Sequence, residues 1–226
     1  MKRRRLIHSV ALAGRSTYLL IALLVLLFAY PFILDGSLAN RLILGLLNVV
    51  IMVSSAYAAT ATRRAFVLVV LFLGLPVLGL QFLYLLYGNL VIFHLLFAYY
   101  LALYTFTIGH VLRYVLGPDQ VTADKIHGAI SAYILIGLLW AWIYTYIDYL
   151  NPGSFSYNGA ITQPLKVVDF AYFSFATLTT TGYGDIAPVT AHARSMVILE
   201  QLTGTFFIAI LIARLTGLYQ GRSAGR

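Results

Sequence analysis

The sequence predicts an all-α integral membrane protein. Six helices are expected to span the membrane, and one short apolar helix to enter it without crossing. Three observations predict this. The 226 residues are 61% hydrophobic and only 10% charged, with a mean hydropathy of +0.89. Soluble domains run at about 45–50% apolar and about 25% charged. Six stretches approach or exceed the roughly 20 apolar residues that a helix needs to cross the hydrocarbon core. Finally, the basic residues gather on alternate connections, as topology requires.

The six spans, in order, are Tyr18–Leu34, Leu42–Thr60, Ala65–Tyr87, Leu90–Leu116, Gly128–Leu150 and Ala193–Leu218. A seventh apolar run, Val168–Thr180, is too short to span and reads as a re-entrant helix. Irregular backbone after it can lie at membrane depth only where protein or water covers it. Gly88-Asn89 predicts a tight turn that folds spans three and four into an antiparallel hairpin. Gly117-Pro118 ends span four, because proline disfavours helix in the residue before it. Residues 118–127 read as a polar cytoplasmic linker, with helix starting near Thr122. The chain thus divides into a peripheral four-helix domain (1–117), this linker, and a domain at 128–226.

Lys2, Arg3, Arg4, Arg5 and Arg15 precede span one, and Arg63 and Arg64 follow span two. Arg113 and Lys125 lie between spans four and five, and Arg222 and Arg226 lie beyond span six. The other side carries Arg41, Lys166 and Arg194. The positive-inside rule then puts both termini in the cytoplasm of a multi-pass cell (plasma or inner) membrane protein. The basic start and first apolar run invite a signal-peptide reading. That run is about 17 residues, longer than the usual apolar core of about 7–15, and a signal anchor is expected. The formal net charge of +8 belongs to these membrane flanks, so no nucleic-acid partner is expected; membrane lipids are. With no cysteine, thiol chemistry and Cys-ligated metal are excluded.

The most informative string is Thr180-Thr181-Gly182-Tyr183-Gly184-Asp185, between the short helix and the last span. Its glycines permit backbone conformations that a Cβ resists. The string resembles the T-V-G-Y-G-D selectivity filter of the potassium channel superfamily. Thr177-Leu178-Thr179-Thr180 resembles the family's Thr-rich pore-helix end, and Pro188-Val189-Thr190 and Arg194 also match. Gly204 falls at the family's inner-helix hinge glycine, with no gap from Thr177. The resemblance covers roughly Gly128–Leu218; the first four spans match only as a six-span architecture.

The resemblance implies a four-fold assembly of identical chains around an axial pore, with K⁺ as permeant ion and no cofactor. Rings of backbone carbonyls replace the ion's hydration shell in such filters. Here the carbonyls of Thr181, Gly182 and Tyr183, with the carbonyl and hydroxyl of Thr180, supply the ion sites; Gly184 completes the filter. Tyr183 is expected to pack against Tyr172 and Phe173. Asp185 often hydrogen-bonds behind the filter in this family, to a pore-helix Glu among other partners. The aligned position here is Ala176, and Tyr172 is the expected substitute. Thr181 departs from the commoner Val but leaves the backbone oxygens intact.

Glu200 is the one acid deep within a long span, Asp148 lying two residues from the end of span five. A buried carboxylate costs a few kcal/mol, so it should face protein or water. It is expected behind the filter, accepting hydrogen bonds from pore-helix or filter hydroxyls, Thr181 among them. The alternative is a protonated group that only packs helices. Thr205, Ile208 and Ile212 share one helical face below Gly204. They are expected to line the cavity or gate, with core packing as the competing reading. Arg214 is placed to snorkel to headgroups. Of the histidines, His94, His110 and His127 read as packing residues, and His192 as the candidate for external pH sensitivity.

Voltage-sensing helices carry a basic residue at every third position and so supply several gating charges. Span four carries Arg113 alone, and spans two and three hold no acid. Weak or no intrinsic voltage dependence follows. The expected function is a potassium-selective channel; alternatives are a less selective monovalent cation channel and a non-conducting membrane sensor or subunit. An enzyme is not expected. The gating stimulus is open to lipid, tension, pH, an unknown ligand or a partner subunit.

Overall fold

The computed structural model describes residues 14–29, 75–117, 122–161 and 165–223, with scattered helical positions between 46 and 57. Its described helices are α1 (Arg15–Ala29), α2 (Leu75–Tyr87), α3 (Leu90–Val115), α4 (Ala123–Leu150), α5 (Val167–Leu178) and α6 (Ala191–Ser223). Two short strands, β1 (Phe155–Tyr157) and β2 (Ile186–Pro188), pair antiparallel. Among the described residues, α3, α4 and the Ala191–Arg214 part of α6 are long and apolar enough to cross a membrane. The basic residues at 2–5, 41, 63 and 64 lie outside the described residues, as do most of span two and residues 65–74 of span three.

The contacts divide the chain into two units. The first holds Met1–Leu96 and Phe106–Ala132; the second holds Phe97–Thr105 and Tyr133–Arg226. In the first, Gly88 takes a left-handed φ of 55° and its N–H closes α2 on the Tyr84 carbonyl at 2.9 Å. Asn89 caps α3, its side chain accepting from the Val91 N–H at 2.8 Å. Glycine at a helix end and asparagine at the next start are what these backbone shapes favour. The Tyr84 and Phe93 rings meet 5.9 Å apart across this turn.

The helix beginning at Ala123 continues without a break to Leu150. Residues 123–127, read from sequence as part of the linker, are therefore the first turn of α4. Thr122 starts it, its hydroxyl accepting from the Lys125 N–H at 3.3 Å. Asp124 is tied to α1, accepting from the Ser16 N–H at 2.9 Å and from the Tyr114 hydroxyl at 2.9 Å. Thr17 and His127 share a 2.8 Å hydrogen bond beside it.

In the second unit, α4 packs an aromatic cluster. Tyr144, Phe155, Phe170 and Phe173 approach with centroids 5.0–6.5 Å apart. Phe97 stacks on Tyr146 at 3.9 Å and Tyr100 on Trp142 at 4.5 Å. Such pairs are worth about 0.5–1.5 kcal/mol beyond the area they bury. Among the described side chains of α6, the buried residues are Ala193, Val197, Glu200 and Gly204, at spacings of four, three and four. That single stripe packs on α5; most of the rest of α6 is exposed in the single chain.

The sequence reading did not foresee the strand pair. Tyr157 and Ala160 exchange both backbone hydrogen bonds, at 2.9 Å each, around Asn158 and Gly159. Both turn residues have positive φ, 48° and 79°. Asn-Gly is the preferred pair for such a turn, and the signal was present at Asn158-Gly159.

Candidate functional site

The site is the exposed strip from Thr179 to Gly184, between α5 and β2. The C-terminal end of α5 holds it by main-chain bonds. The N–H groups of Thr179 and Thr180 donate to the carbonyls of Phe175 and Thr177, each at 3.0 Å. Those of Thr181 and Gly182 both donate to the Ala176 carbonyl, at 2.8 and 3.0 Å. In a trans peptide the N–H of one residue points opposite to the C=O of the residue before. The Thr180 and Thr181 carbonyls therefore point away from α5, and the Thr179 carbonyl with them.

The backbone alternates in hand. Thr180, Gly182 and Gly184 have φ of 60°, 59° and 81°, while Thr181 and Tyr183 between them do not take positive values. Glycine accepts this region freely. Thr180 pays about 1–2 kcal/mol for it. The amide bonds on either side of Thr180 hold that strain in place. Alternation of hand turns every second peptide back toward the same side, so the strip presents carbonyl oxygens along one edge.

Behind the strip, the Tyr183 ring stacks on Tyr172, with centroids 5.9 Å apart and planes 8° from parallel. The Tyr172 hydroxyl also lies close to the Asp185 side chain. Phe173, expected beside Tyr172, does not join them; it is buried with Tyr144 and Phe155. Neighbours on an α-helix stand about 100° apart, since a turn takes 3.6 residues, so one faces Tyr183 and the other the core. Past the strip, the Asp185 carbonyl accepts from the Asn158 N–H at 2.7 Å, and its carboxylate accepts from the Ile186 N–H at 3.0 Å. The strand pair thus fixes the outer end of the strip.

Glu200 is fully buried on α6. It pairs with the Ser174 hydroxyl of α5 and the Tyr144 hydroxyl of α4, each at 2.5 Å. Thr181 is not one of these partners. Its hydroxyl lies 2.8 Å from that of Thr179, which itself donates to the Phe175 carbonyl at 2.7 Å. Thr179 has one proton to give, so Thr181 supplies the proton of the shared bond. Ser174 is a hydroxyl of the short helix, as expected for a Glu200 partner; Tyr144 was missed because nothing local marks it, and only packing brings it to Glu200.

Gly204, read as a hinge, lies in unbroken helix. A Cβ there would overlap the Leu178 carbonyl oxygen at the end of α5. That oxygen also accepts from the Tyr133 hydroxyl at 3.0 Å. What the structure shows at Gly204 is a close approach of two backbones. Thr205, Ile208 and Ile212 are exposed in the single chain, with the Thr205 hydroxyl bonded to the Gln201 carbonyl at 2.9 Å. At the start of α6, His192 is exposed, and Arg194 donates to the Pro188 carbonyl at 3.2 Å.

Residues 132–220, which contain this whole site, match the family model described as "Ion channel". This part of the chain is similar to potassium channels. The chain is 34% identical over 96 residues to Two-pore potassium channel 5 of Arabidopsis thaliana, covering 42% of this chain and 22% of that one. With Two pore potassium channel c of Oryza sativa subsp. japonica it shares 42% identity over 62 residues, 27% of this chain and 13% of the relative. A Voltage-gated potassium channel of Aeropyrum pernix is 28% identical over 102 residues, 45% of this chain and 31% of the relative. The chain thus spans less than a third of each of these relatives. No solved structure gives a significant match.

Proposed function

We propose that this protein is a potassium-selective channel that conducts K⁺ passively across the cell membrane as a homotetramer. The observation that carries this is the aim of the filter carbonyls. Amides of Thr180, Thr181 and Gly182 turn back to α5, so the carbonyls before them face the open side. Four such edges around an axis make stacked oxygen rings. Neutral carbonyl dipoles hold a large monovalent ion without trapping it, whereas a ring of carboxylates favours divalent ions. In this reading Thr180, Thr181, Gly182 and Tyr183 bind K⁺, Tyr172, Asp185 and Glu200 brace the filter, and Thr205, Ile208 and Ile212 line the cavity. The names of the three relatives support K⁺ as the ion.

Six spans, cytoplasmic termini and weak voltage dependence belong to the same proposal. Arg113 is the basic residue of α3, near its C-terminal end, and a voltage sensor needs several.

The test is the reversal potential of the purified protein in a planar bilayer, with KCl on one side and NaCl on the other. A reversal displaced far toward the K⁺ equilibrium potential is expected. Clear current reversing near zero would replace this reading with a less selective cation channel. Silence across voltage, pH and lipid composition would replace it with a non-conducting subunit.

A further inference from the structure

The hydrogen-bond partners of Glu200 count its protons. Oε2 lies 2.5 Å from the Tyr144 hydroxyl of α4, and Oε1 lies 2.5 Å from the Ser174 hydroxyl of α5. Both partners are hydroxyls, and neither is a cation. Ser174 Oγ has a second neighbour, the Gly137 carbonyl oxygen of α4, at 2.8 Å. A serine hydroxyl has one proton to donate. Suppose Glu200 were a carboxylate. If Ser174 gave its proton to Glu200, its oxygen and the Gly137 carbonyl would face each other at 2.8 Å with lone pairs and no hydrogen between. If it gave the proton to Gly137, the same conflict would arise against Glu200 at 2.5 Å. One further proton, on Oε1, removes both conflicts. Tyr144 then donates to Glu200, Glu200 to Ser174, and Ser174 to Gly137.

We propose that Glu200 is a neutral carboxylic acid that donates to Ser174, and that this relay from α6 through α5 to α4 positions the pore helix behind the filter. Its members are buried, and none faces the carbonyl edge. The relay acts through Ala176, two residues after Ser174, whose carbonyl holds the Thr181 and Gly182 amides. A shift of α5 at Ser174 moves that carbonyl and with it the aim of the filter oxygens. The Tyr133 hydroxyl of α4 is committed to the Leu178 carbonyl at the same end of α5. A charged Glu200 within a spanning helix would cost a few kcal/mol, and the neutral form avoids that cost. The relay thus locks three helices without placing a fixed charge beside the permeant cation.

Infrared difference spectroscopy of the full-length protein in lipid, wild type minus Glu200→Gln at neutral pH, tests this directly. The expected result is the carbonyl stretch of a protonated carboxylic acid, shifted in D₂O and absent from the variant. Carboxylate bands in its place would overturn the proposal. A second arm reads K⁺ against Na⁺ flux. Gln keeps one donor and one acceptor, so it should hold selectivity within about twofold, whereas Glu200→Ala and Ser174→Ala should each lower it about tenfold, the size of one buried hydrogen bond lost. Gln behaving like Ala would also overturn the proposal. This second arm rests on the K⁺ conduction proposed above, but the infrared arm does not. A protein that passes no ions would still report the protonation of Glu200.

Discussion

Helices α4 and α6 are both long and apolar, yet the single chain treats them differently. In the most apolar stretch of α4, 56% of residues are buried, against 17% in α6, the more apolar of the two. The α4 helix meets neighbours around much of its circumference: Phe97 and Tyr100 on one side, the Tyr144 aromatic cluster on another. Among its described side chains, helix α6 is buried only along the stripe from Ala193 to Gly204 that faces α5. A helix that is apolar all round is normally buried or in lipid. The difference teaches that α4 is completed by its own chain, while α6 awaits lipid or other copies of the chain. The exposed strip Thr179–Gly184 is what the proposed assembly of four chains would enclose.

The largest effect lies in the assembly. Native mass spectrometry from mild detergent should give four chains. A stable single chain would break the comparison and make the bare face of α6 a lipid surface only. The two glycines by which these helices touch α5 sharpen it next. An added Cβ at Gly204 meets the Leu178 carbonyl, which is backbone, whereas at Gly137 it meets the Phe175 ring at 2.6 Å. Backbone pinned by α5 yields less than a ring that can rotate. Gly204→Ala should therefore cost about 2–3 kcal/mol of stability and Gly137→Ala about 1 kcal/mol, within the usual range for overpacking. Thermal or denaturant unfolding in lipid measures both, and an equal cost would show that the Leu178 carbonyl is free to move.

Smaller still is the effect expected at the start of α4. Asp124→Ala removes the acceptor of Ser16 and Tyr114 and should cost about 1–3 kcal/mol, since those donors lose their partner. The K⁺ over Na⁺ preference should stay as it is, because the filter amides depend on α5 alone. A changed reversal potential in this variant would mean that the first unit shapes the filter. The smallest expected effect is on voltage. Arg113 as the basic residue of α3 predicts a shallow conductance–voltage curve, and an effective charge of several units per channel would overturn that reading.

Several features were legible because they are local. The bounds of α3 differ by one residue from the apolar run Leu90–Leu116, and those of α5 by one or two from Val168–Thr180. Gly88-Asn89 made the turn its residue types predict. The filter string announced its backbone through Gly182 and Gly184, and both have the positive φ that glycine allows. The turn at Asn158-Gly159 carries an equally local signal, but only the three residues of β1 and the single bridge residue Ala160 flank it, too short an alternation to mark a hairpin.

What the sequence alone determined is therefore the set of apolar spans, the short helix, and a strip of backbone built to alternate in hand. Each follows from bonds and sterics within a few residues. Only the tertiary structure decided what stands behind that strip. It turned Phe173 to the core and Tyr172 to Tyr183, gave Glu200 the hydroxyls of Ser174 and Tyr144, and made Gly204 the place where α6 meets the Leu178 carbonyl. These partners lie 26 residues apart for Ser174 and Glu200, and 56 for Tyr144 and Glu200. No local rule links residues at such separations. They meet because burying the apolar stripes of α4, α5 and α6 together leaves their few polar groups no partners but one another.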